Sequence, residues 1–353
     1  MTAPEASRVP LLEISRLSVS FRAGRRTHPV VSDVSMLVAA GERVGVIGES
    51  GSGKTVTALS VLGLHDRRRT RYGADSAIRL DGRELLRMSP QELRGLRGAE
   101  IAMVFQDPAT SLNPVFTVGR QLMPVLRVHQ HLSSEGAHDA AVEALHAVEI
   151  RDPGAVLRAY PHELSGGMRQ RVLIAMAIAC RPRVLIADEP TSALDVTVQA
   201  TVLDLLGDLV TRSAMSLLLI THDMGVIARL CTYVYVMYAG RVVERGPVGE
   251  LFASSRHPYT RALLLSTPRT TGPRPRRLAT VAPAQAGISA ESGCSFAPRC
   301  PYVIERCTAE VPLLDGTEHA AACHRWPEVA ASALAEASQI APARPSAAVP
   351  DDE

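Results

Sequence analysis

Short apolar runs alternate with helical patterns over residues 11–260, the order expected of an α/β domain. Four runs read as strands: Arg43–Ile47, Ile101–Phe105, Val184–Ala187 and Leu217–Thr221. Thr55 to Leu64 carries Val56, Ala58, Leu59, Val61 and Leu62 at helical spacing. Between Pro108 and Pro161 the pattern turns helical, most clearly over Ala137–Val148, which predicts a helical insert at about 108–165. The pattern breaks after Pro258. Thr267–Pro283, rich in Pro, Arg and Thr, reads as a linker or an irregular crossing. From Pro327 the chain is rich in Ala, Pro and Ser and ends in Asp351-Asp352-Glu353, which reads as a disordered tail with at most a short helix around Val329–Ala337. Three regions follow: 8–260, 261–326 and 327–353.

A hydrophobic content of 46% supports a sizeable core, and a net charge of +2 gives no global field that would favour nucleic acid or anionic lipid. The basic clusters Arg67-Arg68-Arg69 with Arg71, and Arg274 with Arg276-Arg277, have no interleaved aromatics and read as solvated loops. No nucleic-acid partner is expected. The longest apolar run, Val172 to Cys180, falls well short of the ~18 residues a membrane helix needs. Met1 to Arg16 lacks a basic-then-apolar signal pattern, so the expectation is a soluble, cytoplasmic chain. Four of the six cysteines crowd into residues 294–323, where a reducing compartment favours metal over disulfides.

Lys54 is the only lysine in the chain, and it closes the run Gly48-Glu49-Ser50-Gly51-Ser52-Gly53-Lys54-Thr55. These residues fit the phosphate-loop pattern, in which backbone N–H groups cradle phosphates. Lysine supplies a compact charge on a flexible stem, where arginine's planar fork would not fit a closed loop. The lysine would reach the β- and γ-phosphates, and the Thr55 hydroxyl would bind Mg²⁺. Thr57, two residues on, joins the candidate nucleotide contacts. A strand precedes the loop and a helix follows it, so the positive end of the helix dipole faces the phosphates. ATP with Mg²⁺ is the expected ligand.

Two carboxylates, Asp188 and Glu189, end the apolar run Val184-Leu185-Ile186-Ala187, and Pro190 stops it. Asp188 can hold the Mg²⁺ shell and Glu189 can orient and deprotonate an attacking water. Upstream lies Leu164-Ser165-Gly166-Gly167-Met168-Arg169-Gln170. Ser165 suits an N-cap, and the glycines let backbone approach an anion at the start of a helix over Met168–Cys180.

With these residues the chain resembles the ATP-binding subunits of ABC transporters. The resemblance spans about residues 11–326 and implies a P-loop ATPase with a helical subdomain and a small irregular C-terminal segment. It implies that Ser165, Gly166 and Gly167 complete a nucleotide site on an opposing subunit. Gln106, in Val104-Phe105-Gln106-Asp107, resembles the glutamine that contacts Mg²⁺ and couples to the membrane partner. Asp195, in Ser192-Ala193-Leu194-Asp195, resembles the aspartate of the loop that crosses the dimer interface. His222 resembles the switch histidine at the γ-phosphate. Phe21 is the candidate for the aromatic that stacks on adenine, where the family more often has tyrosine.

Three further segments are similar to oligopeptide and dipeptide importers: Gln106 to Pro114, His257-Pro258-Tyr259-Thr260-Arg261-Ala262-Leu263, and the cysteine run Cys294, Cys300, Cys307, Cys323. Nickel importers share much of the last pattern and remain an alternative. The spacing of these cysteines is wider than that of ordinary structural zinc, and Pro301 follows Cys300, as suits a [4Fe–4S] cluster; zinc and four reduced thiols stay open. The resemblance implies a second ATPase subunit, two membrane-spanning permease subunits, an extracytoplasmic peptide-binding protein, and a peripheral position on the cytoplasmic face of the membrane. A soluble ABC ATPase acting on DNA or ribosomes would need a coiled-coil insertion or a tandem domain, neither of which is visible. A redox or metal sensor would not need Glu189 and His222 together.

Overall fold

The computed structural model describes residues 10–192, 194–266 and 292–340. Twelve strands lie among them: β1 (Pro10–Ala23), β2 (Arg26–Ala39), β3 (Arg43–Ile47), β4 (Thr70–Tyr72), β5 (Ala77–Leu80), β6 (Arg83–Glu84), β7 (Ile101–Val104), β8 (Val184–Asp188), β9 (Ser216–Thr221), β10 (Tyr233–Tyr238), β11 (Arg241–Pro247) and β12 (Ala320–Ala321). The long hairpin of β1 and β2 builds a small antiparallel sheet ordered β2-β1-β5-β6, with β4 also on β1. The larger sheet runs β12-β11-β10-β3-β9-β8-β7. Its strands from β10 to β7 are parallel, and β11 and β12 close one edge antiparallel.

Both faces of the larger sheet are covered at its centre, so β7, β8, β9 and β10 read as near-continuous apolar runs rather than alternating ones. In β8 and β9, Val184, Ile186, Leu218 and Ile220 pack towards the small sheet, while Leu185, Ala187, Leu217 and Leu219 pack towards the helical layer. The side-chain period of two splits one apolar run between two cores.

The helical layer contains Val118–Gln130, Ser134–Ala147 and Pro153–Arg158 of the insert, and the helix Gly166–Ile178 that follows it. Each helix begins at a capping side chain, Thr117, Ser133, Asp152 or Ser165, that accepts a backbone N–H three residues on. Leu122, Leu126, Ala141, Leu145 and Val172 bury the inward faces of these helices in the same core as Leu185 and Ala187.

The cysteine-bearing segment docks on the larger sheet. β12 pairs with β11, and Tyr233 donates to the Glu318 carbonyl at 2.9 Å. His319 Nε2 lies 2.7 Å from Glu244 Oε1 with both side chains buried. Glu244 also accepts the N–H groups of Arg256 and His257, so its carboxylate is well supplied with partners. One expectation changes here: Trp326–Ile340 is an α-helix, where a tail with a short helix was expected, and Val329 within it is fully buried. Alanine carries no helix penalty, and a docked apolar residue supplies what composition alone does not. The expected linker, 267–283, and the end of the tail, 341–353, lie outside the described residues.

Candidate functional site

The order β3-β9-β8-β7 places four parallel strands side by side. Their carboxyl ends carry, in turn, the loop 48–55, His222, Asp188 with Glu189, and Gln106. Open α/β sheets bind ligands at this edge, where strand ends release chain into loops.

The loop folds tightly against β10. A Cβ on Gly48 would lie 2.1 Å from the Met237 carbonyl oxygen, so only glycine fits. Gly53 enters the helix Lys54–Val61 at φ +98°, a conformation reserved for glycine. Gly240, on the hairpin between β10 and β11, donates to the Ser52 carbonyl at 3.0 Å. Lys54 is buried, and its ammonium donates to the Gly48 and Glu49 carbonyls at 2.7 and 3.0 Å and to Ser52 Oγ at 3.4 Å. Burial pulls its pKa below the usual lysine value, and the carboxylates of Glu189, Asp188 and Glu49 oppose that shift. Ser50, Gly51 and Thr55 are exposed at the mouth of the site. Thr57 is not: both its N–H and its hydroxyl donate to the Gly53 carbonyl, at 2.9 and 3.0 Å, so the residue ties the helix start together instead of facing a ligand.

Asp188 is 2% exposed, and its Oδ1 has no hydrogen-bond partner. Burial raises its pKa; the Thr55 hydroxyl bond lowers it, Glu189 raises it further and Lys54 lowers it. A buried carboxylate oxygen without a partner, beside a hydroxyl, matches the hard oxygen donors that Mg²⁺ requires. Glu189 sits at φ +45°, a left-handed turn that swings its side chain out of the strand direction. Its N–H is held by the Ile220 carbonyl at 2.8 Å. Gln106 Nε2 donates to one carboxylate oxygen at 2.9 Å, and His222 Nδ1 lies 3.1 Å from the other. Three residues far apart in sequence thus meet at one carboxylate.

Ser165, Gly166 and Gly167 lie at the start of the helix Gly166–Ile178, not at the strand ends. Ser165 and Gly166 are exposed, and the Ser165 hydroxyl caps its own helix by accepting the Met168 N–H at 3.3 Å. Asp195 caps the helix Val196–Arg212 in the same way, at 3.0 Å from Val198 N. Phe21 is half-buried on β1, its ring meeting His65 edge-on at 5.2 Å. His65 carries no motif and escaped the reading of the sequence. So did Arg299, whose guanidinium binds the Glu49 carboxylate at 2.8 and 3.1 Å.

The four clustered cysteines share one neighbourhood. Cys294 N–H donates to the Cys307 carbonyl at 2.8 Å. Burial first, and then the neighbouring thiols, push Cys300 up to about 11 and Cys323 up to about 12, and burial raises Cys294. Among the described residues, however, no group of three or more His, Cys, Asp or Glu side chains has the arrangement that holds a metal ion. The segment gathers the thiols without closing a ligand shell. Cys231 is a core thiol, and burial drives it up to about 12.

A family profile described as ABC transporter matches residues 31–192, the stretch that holds the loop, the glutamine, the Ser-Gly-Gly turn and both carboxylates. A putative peptide import ATP-binding protein of Brucella melitensis is 47% identical over 338 residues, covering 92% of this chain and all of that protein. This chain belongs to the ABC transporter family. A second profile, the oligopeptide/dipeptide transporter C-terminal region, matches residues 243–307 of the cassette. The dipeptide transport ATP-binding protein of Escherichia coli is 46% identical over 305 residues, covering 86% of this chain and 93% of that one. A dimeric ATP-binding cassette solved after hydrolysis with ADP and phosphate aligns at a TM-score of 0.59 and 26% identity, over 67% of this chain and 98% of its own. The cassette is therefore an ABC-type P-loop ATPase. Among the described residues no helix is long and apolar enough to cross a membrane.

Proposed function

We propose that this chain is the energy-coupling ATPase subunit of an importer of oligopeptides or dipeptides. The observation that carries the catalytic reading is the carboxylate of Glu189 held from both sides, by Gln106 and by His222, next to the Lys54 loop. Transport of peptides is supported by the names of the relatives and by the matched C-terminal region.

In this reading the loop N–H groups and Lys54 bind the β- and γ-phosphates. Thr55, Asp188 and Gln106 would hold Mg²⁺, which would supply neutralisation of charge on the phosphate oxygens. Glu189 takes a proton from water as the water oxygen bonds to the γ-phosphorus and the bond to the β,γ-bridging oxygen breaks. Gln106 and His222 orient that carboxylate, and His222 also faces the γ-phosphate. The helix start at Ser165-Gly166-Gly167 serves the nucleotide of a second ATPase subunit, and Asp195 lies near that interface. Two permease subunits and an extracytoplasmic peptide-binding protein complete the assembly, with the cassette peripheral on the cytoplasmic face.

The test is nucleotide binding and phosphate release in the assembled transporter. Lys54→Ala should lose both. Glu189→Gln and His222→Ala should keep ATP affinity and lose turnover by about 10²–10⁴-fold, the range of general acid–base contributions. Near-normal turnover in Glu189→Gln would remove it from the role of base, and equal loss of ADP and ATP binding in His222→Ala would make that histidine structural.

We propose in addition that Cys294, Cys300, Cys307 and Cys323 take up one metal centre, a [4Fe–4S] cluster, with the thiols closing around it on binding. Their gathering into one neighbourhood supports this reading. Anaerobically purified protein should absorb broadly near ~400 nm and contain about four iron atoms per chain. One zinc per chain would replace the cluster by a zinc site, and metal-free protein with full transport activity would overturn both.

A further inference from the structure

The second residue of the phosphate loop is gripped by the far end of the chain. Arg299 Nη1 and Nη2 meet the two carboxylate oxygens of Glu49 at 2.8 and 3.1 Å, a bidentate pair. The same residue's N–H donates to Tyr259 Oη at 2.7 Å. Tyr259 is fully buried and stacks obliquely on Tyr238, ring centroids 4.7 Å apart. Phe296 packs on both rings at 5.2 and 5.6 Å. The guanidinium of Arg299 lies 5.9 Å from the Tyr238 ring centroid, with Nη1 3.5 Å from the Tyr238 hydroxyl. Arg299 ends the helical turn Ala297–Arg299, whose first N–H is bonded to the Cys294 carbonyl, and Cys300 follows it.

We propose that Arg299 is a positioning residue for ATP binding, through which the cysteine-bearing segment holds the phosphate loop. Two physical effects combine. The first is geometric: Tyr259 and Arg299 fix Glu49 at its N–H and its carboxylate, and the Gly48 and Glu49 carbonyls in turn receive the Lys54 ammonium. The second is electrostatic: Glu49 places a carboxylate in the loop that must accept a triphosphate, and Arg299 neutralises it. Without that partner the carboxylate would repel the phosphates. The pair is partly exposed, with side chains 21% and 38% accessible, so solvent screens part of the effect.

The full chain should be titrated with the β,γ-imido analogue of ATP in the presence of Mg²⁺, with melting temperature followed in parallel. Arg299→Gln should weaken binding about five-fold, raise KM for ATP and leave kcat at saturation within about twofold, because the chemical groups are untouched. Arg299→Lys keeps the charge and loses the fork, so its loss should be smaller. In Arg299→Gln/Glu49→Gln the uncompensated carboxylate is gone while the grip on the loop stays lost, so part of the affinity should return. A merely structural arginine would not be rescued by removing its partner. Wild-type affinity in both Arg299 variants, or a double variant no tighter than Arg299→Gln, would overturn the proposal.

Discussion

His257 is a buried ring with one backbone donor and one aromatic neighbour. Its Nδ1 accepts the Tyr259 N–H at 3.1 Å, and its ring lies 5.7 Å from Phe296. Burial pulls its pKa down to about 3, against about 6.5 for a free histidine. The unfolded chain therefore takes up a proton below about pH 6.5 that the folded chain refuses until about pH 3. Its contribution is fully favourable above pH 6.5 and is lost as pH falls towards 3, at up to about 1.4 kcal/mol per pH unit. His257→Asn keeps an acceptor and removes the titration. Urea unfolding at pH 7.5 and pH 5 should show a smaller loss of stability between the two in the variant than in the wild type. An equal loss in both would mean that the acid sensitivity comes from elsewhere. Glu189 shows the other use of a single residue: at φ +45° it accepts local backbone strain, and the turn brings its carboxylate to Gln106 and His222.

Elements set the tolerances of the site. The loop after β3 runs so close to β10 that a Gly48→Ala methyl would meet the Met237 carbonyl oxygen at 2.1 Å, backbone against backbone. Neither side can yield by changing a rotamer, so the strand or the loop must move. Gly48→Ala should destabilise the protein by about 1–3 kcal/mol and weaken ATP binding more than this loss alone implies, because the loop itself is displaced. Thermal melting together with nucleotide titration checks it; a variant that melts and binds as the wild type would show that the loop has slack. The helix Trp326–Ile340 makes the opposite point. Its alanines read as tail because composition shows neither a partner nor a period strong enough to demand one, yet Val329 is buried and its carbonyl accepts from Arg261 at 3.3 Å.

At the scale of the molecule, the phosphate loop was legible because its function rests on local backbone: glycines at set places, one lysine, a strand before and a helix after. The two carboxylates at the end of β8 were legible for the same reason. Their company was not. Gln106 and Glu189 are 83 positions apart, and His222 and Glu189 are 33 apart. A motif can nominate each of them, but only the order β3-β9-β8-β7 makes their strand ends neighbours. Thr57 shows the limit of reading by motif, since a hydroxyl beside the loop turned inward to Gly53. Arg299 and Glu49 lie furthest beyond sequence, 250 positions apart, with nothing in either local pattern to announce the other. Sequence by itself determined what is encoded within one strand, turn or helix: apolar period, glycine conformation, capping side chains and the chemical types at the site. Tertiary structure decided which of these meet, because strand pairing and aromatic packing join segments whose separation along the chain carries no local signal.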